Sequence, residues 1–225
     1  VEPGGFQIDP ESARAKLTRR TKALIVPHLF GLVADLDRLI GLGPPVIEDC
    51  AHALGARFRG RPVGAHGMLA ICSFRATKLL CTGEGGMALA NTRPLAEKLR
   101  ALRSREEAPG PRYASPMSDL QASMGLAQLD RFPSFLARRA EIARRYRAVA
   151  VEIGWGVAAE HAGTEPVAYR FVVDPRLDLD EAIGAFRARG ITATRPVPQP
   201  LHLLFGGPPE DFPGDDEALD FGRPL

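Results

Sequence analysis

The chain has 225 residues, 45% of them hydrophobic and 25% charged, which fits one large globular domain or a large one with a small companion. Its 29 basic and 27 acidic residues leave a net charge of +2 and are interspersed apart from small Arg clusters, so neither nucleic acid nor an anionic membrane is expected as the main partner. No apolar run reaches membrane-spanning length and the first residues lack the order of a signal peptide, so the expected location is cytoplasmic; Cys50, Cys72 and Cys81 are too irregularly spaced for a disulfide framework or a zinc knuckle.

In chain order, DPESARAKL (residues 9–17) has an acidic, Pro-containing start and apolar positions at helical spacing, and KALIVPHLF (22–30) is an apolar run of strand length. DLDRLIGL (35–42) reads as a crossover helix and PPVIEDC (44–50) as the next buried strand, so a strand-helix-strand unit and a parallel sheet are expected. MLAICSF (68–74) and GMALA (86–90) are two more strand-like runs, followed by a helical RPLAEKLRALR (93–103). Residues 104–116, rich in Pro, Gly and charge, read as a loop. MSDLQASMGLAQLDRF (117–132) is helical, Pro133 punctuates it, and SFLARRAEIARRYRAVAVEI (134–153) is a long amphipathic helix whose Arg pairs read as a solvated face. YRFVVD (169–174), DLDEAIGAFRARG (178–190) and ITATRP (191–196) predict a small strand-helix-strand unit. The expected division is a large domain over residues 1–131 and a connecting helix with a small domain over 132–225.

Only four of the basic residues, Lys16, Lys22, Lys78 and Lys98, are lysines. Guanidinium stays charged at ordinary pH, whereas a lysine amine can lose its proton in a partly apolar pocket and attack a carbonyl, which makes Lys78, just beyond a predicted strand, a candidate. EDCAH (48–52) gathers two carboxylates, a thiol and an imidazole at the carboxyl end of a predicted parallel strand, where ligand sites of open α/β sheets lie. A metal there is a weaker reading, because no second ligand group sits at a recognisable spacing. GEGGMA (83–88) matches G-x-G-x-x-A in form, but a strand-like run follows it instead of a helix. A glycine-rich turn fits better than a dinucleotide fingerprint.

EDCAH, SFRATK and GEGG, in that order and spacing, resemble the core of the DegT/DnrJ/EryC1/StrS sugar aminotransferases, pyridoxal-phosphate enzymes of fold type I. TKALIVPHLFG (21–31), the segment 117–132 and RGITATRPVPQPLHLL (189–204) extend the likeness over nearly the whole chain. The resemblance implies a partial fold-type I α/β structure, a mainly parallel sheet flanked by helices with a small C-terminal α/β domain. It implies that Lys78 bonds the pyridoxal aldehyde and later shuttles a proton, that Asp49 faces the pyridine nitrogen, that His52 lies near the ring face or its 3′-oxygen, and that Ser73 binds the phosphate. An amino-acid donor, a nucleotide-linked keto sugar and a homodimer are implied with it.

Against the family pattern, the chain starts inside the large domain, without the segment that carries a Gly-Thr/Ser phosphate turn and a stacking aromatic, and ends before the last strand and helix. Where relatives carry Asn and Arg for reaching across a dimer, YASPMSD places Ala114 and Pro116, with Tyr113 or Ser115 as substitutes. The 225 residues alone are therefore expected to be inactive as a transaminase, and a non-catalytic, dimerising or binding remnant is the alternative. Family members that dehydrate sugars replace the lysine by histidine, so Lys78 argues against that chemistry.

Overall fold

Short apolar runs alternating with amphipathic ones build the layers of this fold, for which the computed structural model describes residues 1–2, 4–103, 116–195 and 197. Helix α1 (Pro10–Lys16) starts where the Asp9 carboxylate accepts the N–H groups of Glu11 and Ser12, with Pro10 at a position whose missing donor costs nothing. Strand β1 (Leu24–Pro27) leads through His28 into a single 3₁₀ turn, Leu29–Gly31, and α2 (Leu36–Ile40) is capped by Asp35. Strand β2 (Val46–Asp49) is followed by a hairpin of β3 (Arg57–Phe58) and β4 (Arg61–Pro62), then by β5 (Leu69–Ser73), β6 (Gly86–Ala90) and α3 (Arg93–Arg103). Helices α4 (Asp119–Leu129) and α5 (Phe132–Glu152), strands β7 (Gly156–Val157), β8 (Thr164–Glu165) and β9 (Val173–Asp174), and α6 (Leu179–Ala188) complete the order.

The main sheet runs β1-β2-β5-β6; the first three strands are parallel and β6 is antiparallel to β5. Register decides what each face carries, because neighbours in register point the same way. Val26, Glu48, Ala70 and Cys72 face inward, onto a core of Val33, Leu36, Leu39, Phe58, Phe74 and Leu80. Leu36 and Leu39 are fully buried, each contributing roughly 1.5–3 kcal/mol. Ile25, Ile47, Asp49, Leu69, Ile71 and Ser73 point to the other face. That face is far more open, with Ile25 63% and Ile71 44% exposed.

The second half of the chain folds back on the first. β8 pairs with β3, Val167 N–H donates to Gly31 O at 3.0 Å, and Arg170 N–H donates to Phe30 O at 3.3 Å. The approach at Gly31 is so close that a Cβ there would lie 1.9 Å from the Val167 carbonyl oxygen, at a φ of +90° that glycine alone adopts freely.

The expected elements recur with instructive differences. Pro133 sits in the first turn of α5 and starts it, since the missing N–H there is unneeded. Of the expected strand 169–174 only Val173–Asp174 pairs, with β7, and residues 191–195 form no strand. Ala114, Tyr113 and Ser115 lie outside the described residues; Pro116 is exposed. No helix among the described residues is long and apolar enough to cross a membrane.

Candidate active site

Asp49 closes β2 on the open face of the sheet, at the carboxyl ends of three parallel strands. Its Oδ1 accepts the Ala51 N–H at 3.0 Å, turning the chain so that His52 stands over the same end; among the described residues Oδ2 makes no hydrogen bond. His52 Nδ1 accepts the Phe30 N–H at 3.3 Å, which leaves the proton of the neutral ring on Nε2. Phe30 holds a left-handed backbone (φ 60°), an arrangement uncommon outside glycine and found at sites where the surroundings over-determine it. A small cleft lined by Pro27, Leu29, Asp49, Ala51 and His52 opens here.

Tyr169 arrives from the second half of the chain. Its ring lies against that of His52, centroids 4.3 Å apart and planes 21° from parallel. The Lys78 Nζ stands 5.2 Å from the same ring's centroid and the Arg170 guanidinium 5.8 Å from it, both within cation–π range. Burial pushes the His52 pKa down to about 4, and Lys78 and Arg170 add to this against a smaller opposing pull from Asp49. His52 is thus a neutral imidazole at pH 7. For Tyr169, burial works to raise the phenol, but the polar influence of Thr77 and the charges of Lys78 and Arg170 outweigh it and the net shift is downward.

Lys78 is half-buried on the loop that joins β5 to β6. The loop is internally tied: Phe74 N–H donates to Gly85 O, Thr82 N–H to Phe74 O, and Lys78 N–H to Arg75 O, each at 2.8 Å. Gly85, at φ 152°, could not carry a Cβ without meeting Thr82 Oγ1 at 2.6 Å, which explains the glycines of GEGG as a tight turn into β6. Ser73 ends β5 on the face that Asp49 shares, and its Oγ accepts the Arg75 N–H at 3.5 Å, leaving its proton free to donate.

Glu48, His28 and Cys50 lie within 4.8 Å of one another, all buried, on the opposite face. The lone pairs of Glu48 and of the His28 Nδ1 are committed. Glu48 Oε1 accepts from the His66 and Gly67 N–H groups at 2.8 and 2.6 Å, and Oε2 accepts from Gly64 N–H at 2.6 Å and from His28 Nε2 at 3.4 Å. His28 Nδ1 in turn accepts the Ala34 N–H. Burial alone would raise the Glu48 pKa, but His28 and the three backbone donors hold it down at about 2. The cluster is a buried tether for the turn at residues 64–67, and it offers a metal no free ligand set.

Of the four residues expected at the site, His52 and Lys78 meet through Tyr169, Asp49 acts electrostatically on His52, and Ser73 shares a sheet face with Asp49. Tyr169, Thr77 and Arg170 were not anticipated. Arg139, expected on a solvated face, instead donates to the carbonyls of Ala168 and Tyr169 at 2.9 and 3.3 Å, bracing the segment that delivers the tyrosine.

The carboxyl ends of the parallel strands thus bring together a carboxylate, a stacked imidazole and, beside the stack, a lysine amine. Residues 1–205 match the DegT/DnrJ/EryC1/StrS aminotransferase family, and the chain belongs to that family. It is 34% identical over 220 residues to the GDP-perosamine synthase of Caulobacter vibrioides, covering 90% of this chain and 59% of that one. With the L-glutamine:scyllo-inosose aminotransferase of Streptomyces griseus it shares 37% identity over 195 residues, covering 77% and 46%. Among solved structures it resembles S. venezuelae DesV (TM-score 0.90, 34% identity, 99% of this chain and 64% of that one). It is also similar to the PLP form of the sugar aminotransferase Spr1654 from Streptococcus pneumoniae (TM-score 0.87, 25% identity, 99% and 66%). The chain thus spans about half to two thirds of the length of these relatives. Its architecture is that of part of a fold-type I aminotransferase, with a mixed, mainly parallel sheet.

Proposed function

We propose that the protein carrying these residues moves an amino group from an amino acid, glutamate in the first instance, onto a nucleotide-linked keto sugar, with pyridoxal phosphate as cofactor and Lys78 as the residue that bonds it. The observation that carries this reading is the placement of the Lys78 amine beside the His52–Tyr169 stack, at the strand ends where Asp49 presents a free carboxylate oxygen. The donor set fits such a cofactor: a primary amine for an aldehyde, a carboxylate for a pyridinium, and a hydroxyl with its proton to give for a phosphate.

When bound, pyridoxal phosphate supplies a ring that takes up the electron pair left when a substrate carbon loses its proton. Lys78 Nζ would hold and move that proton, a task that a permanently charged guanidinium could not perform. Asp49 Oδ2 would favour a proton on the ring nitrogen. Neutral His52 would offer the ring a flat surface and an Nε2–H donor, and Ser73 Oγ–H would donate to the phosphate. Tyr169 keeps imidazole and amine in register.

The names of the relatives support the acceptor class: one makes a GDP-linked sugar, the other aminates scyllo-inosose with L-glutamine. The second name favours glutamine and a free cyclitol as the alternative donor and acceptor pair. The protein works as a homodimer in this reading, which the exposed Leu120, Met124, Leu126 and Leu129 of α4 support. We keep the division into residues 1–131 and 132–225 as part of the proposal, since α5 begins at that boundary while β8 and residues 167–170 reach back across it.

Borohydride reduction of the full-length protein loaded with pyridoxal phosphate, followed by peptide mass spectrometry, tests the assignment. The pyridoxyl group is expected on Lys78, and recovery on Lys16, Lys22 or Lys98 would overturn it.

A further inference from the structure

The loop that carries Lys78 has no secondary structure of its own over residues 74–85, so something must hold it. Helix α4 lies directly against it. Gly125 permits the approach, since a Cβ there would meet Thr82 Cγ2 at 3.0 Å. Two glutamines one heptad apart on α4 then reach the loop. Residues i and i+7 lie on the same helical face, two turns apart, so both side chains can grip one segment.

Gln128 makes the fuller contact. Its Oε1 accepts the Cys81 N–H at 3.1 Å while its Nε2 donates to the Cys81 carbonyl oxygen, so the carboxamide pairs with one residue's backbone as a neighbouring strand would. The same Nε2 also donates to Met124 O at 3.0 Å, within its own helix, which fixes the amide's orientation. Gln121 Nε2 donates to Glu84 O at 3.0 Å. Gln121 is itself locked by a capping box, its Oε1 accepting the Ser118 N–H at 2.9 Å while its own N–H donates to Ser118 Oγ. Between these points Thr82 Oγ1 donates to Glu84 O at 2.8 Å and Cys81 Sγ accepts the Gly83 N–H. The backbone three residues beyond Lys78 is therefore tied to a helix from the far half of the chain. Among the described residues neither glutamine hydrogen-bonds with His52, Tyr169 or Asp49.

We infer that Gln128, seconded by Gln121, is a positioning residue for Lys78: its carboxamide clamps the backbone at Cys81 and so fixes where the lysine amine stands. The inference rests on the reading of Lys78 as the reactive lysine, but the clamp has a readout of its own. A loop held at one end only by turn bonds would let Nζ wander over several positions, and a misplacement of about 1 Å is enough to cost on the order of a hundredfold in a reaction that depends on alignment.

Hydrogen exchange of the full-length protein without cofactor tests the clamp. In Gln128→Leu, amides of residues 79–84 are expected to exchange about tenfold faster, the scale of one or two lost hydrogen bonds, with β2 and β5 unchanged. With pyridoxal phosphate added, the same variant should show a shifted pH midpoint of the bound cofactor's absorption, and Gln128→Glu, which keeps the acceptor for the Cys81 N–H but loses the donor to the Cys81 carbonyl, should show a smaller rise in exchange over residues 79–84 than Gln128→Leu. If Gln128→Leu loosens the whole sheet, Gln128→Glu decides: faster exchange confined to residues 79–84 upholds the clamp. Wild-type exchange at those amides in both variants overturns it. Failure of the wild type to take label on Lys78 would overturn the functional reading instead, and leaves the exchange result to judge the clamp.

Discussion

The imidazole of His52 lies almost parallel on the phenol ring of Tyr169, with 4.3 Å between centroids, although one follows β2 and the other precedes β9. The contact joins the two halves of the chain at the point where Lys78 approaches. Stacked rings contribute about 0.5–1.5 kcal/mol beyond the area they bury, and a cation over one of them roughly 0.5–1 kcal/mol more. Tyr169→Phe keeps both and loses only the hydroxyl; Tyr169→Leu loses the ring. We expect the Phe variant within a few-fold of wild-type activity and the Leu variant lower by about tenfold or more. NMR titration of His52 should move back toward the ordinary histidine range in the Leu variant alone.

The depressed His52 makes stability depend on pH in a defined window. The unfolded ring binds a proton near 6.5 and the folded one near 4, so between these values the unfolded state carries more protons and stability falls as pH falls. Urea midpoints should be flat above pH 7, decline from about pH 6.5 to 4, and decline less steeply in His52→Gln.

A second carboxylate-driven window lies lower. Glu48 is held at about 2 against an ordinary 4.5, so its stabilising contribution is complete above pH 4.5 and is lost as pH falls toward 2. Glu48→Gln keeps one accepting oxygen but turns the other into an NH2 that faces backbone N–H groups, that of Gly64 or those of His66 and Gly67, and removes the buried charge, which should cost about 3–5 kcal/mol in chemical denaturation. Added zinc should not rescue it.

Asp49→Ala removes the carboxylate that faces the cofactor nitrogen in the proposed site. Loss of such an opposite charge lowers the partner's pKa by about 1–3 units, so turnover should fall by ten- to a thousandfold at pH 7 in a variant whose circular dichroism is unchanged. Near-normal turnover by that folded variant would contradict the assignment.

Gly31→Ala tests the seam between the halves. A methyl group there meets the Val167 carbonyl and forces a left-handed backbone on alanine, which should cost about 1–3 kcal/mol or more. Because Val167 leads directly to Tyr169, activity should drop together with the melting temperature.

What the sequence made legible was whatever sits within a few residues of its own strand. Asp49 and His52 follow the end of β2 at fixed offsets, and Lys78 follows β5 in the same way, so local pattern sufficed for both. Tyr169 reads as one more strand residue because its partners, His52 and Lys78, lie far away along the chain. Arg139 was hidden for a related reason, since an arginine on an amphipathic helix looks solvated until the carbonyls it meets are known. The two-residue strands β3 and β4 are too short to show any period. Glu48 shared a motif with Asp49, yet alternation along β2 sends it to the other face, where it organises backbone and not ligand.

The wiring of the lysine loop to distant residues sets an order of events during synthesis. A nascent chain lengthens at about 5–20 residues per second, so Lys78 emerges seconds before Gln128 and later still before Tyr169. Until then the β5–β6 loop has neither its clamp nor its aromatic neighbour. A chain cut short ahead of α4 would carry Lys78 with its loop unaligned. Competence therefore comes late in translation, when the far half of the molecule closes over the near one.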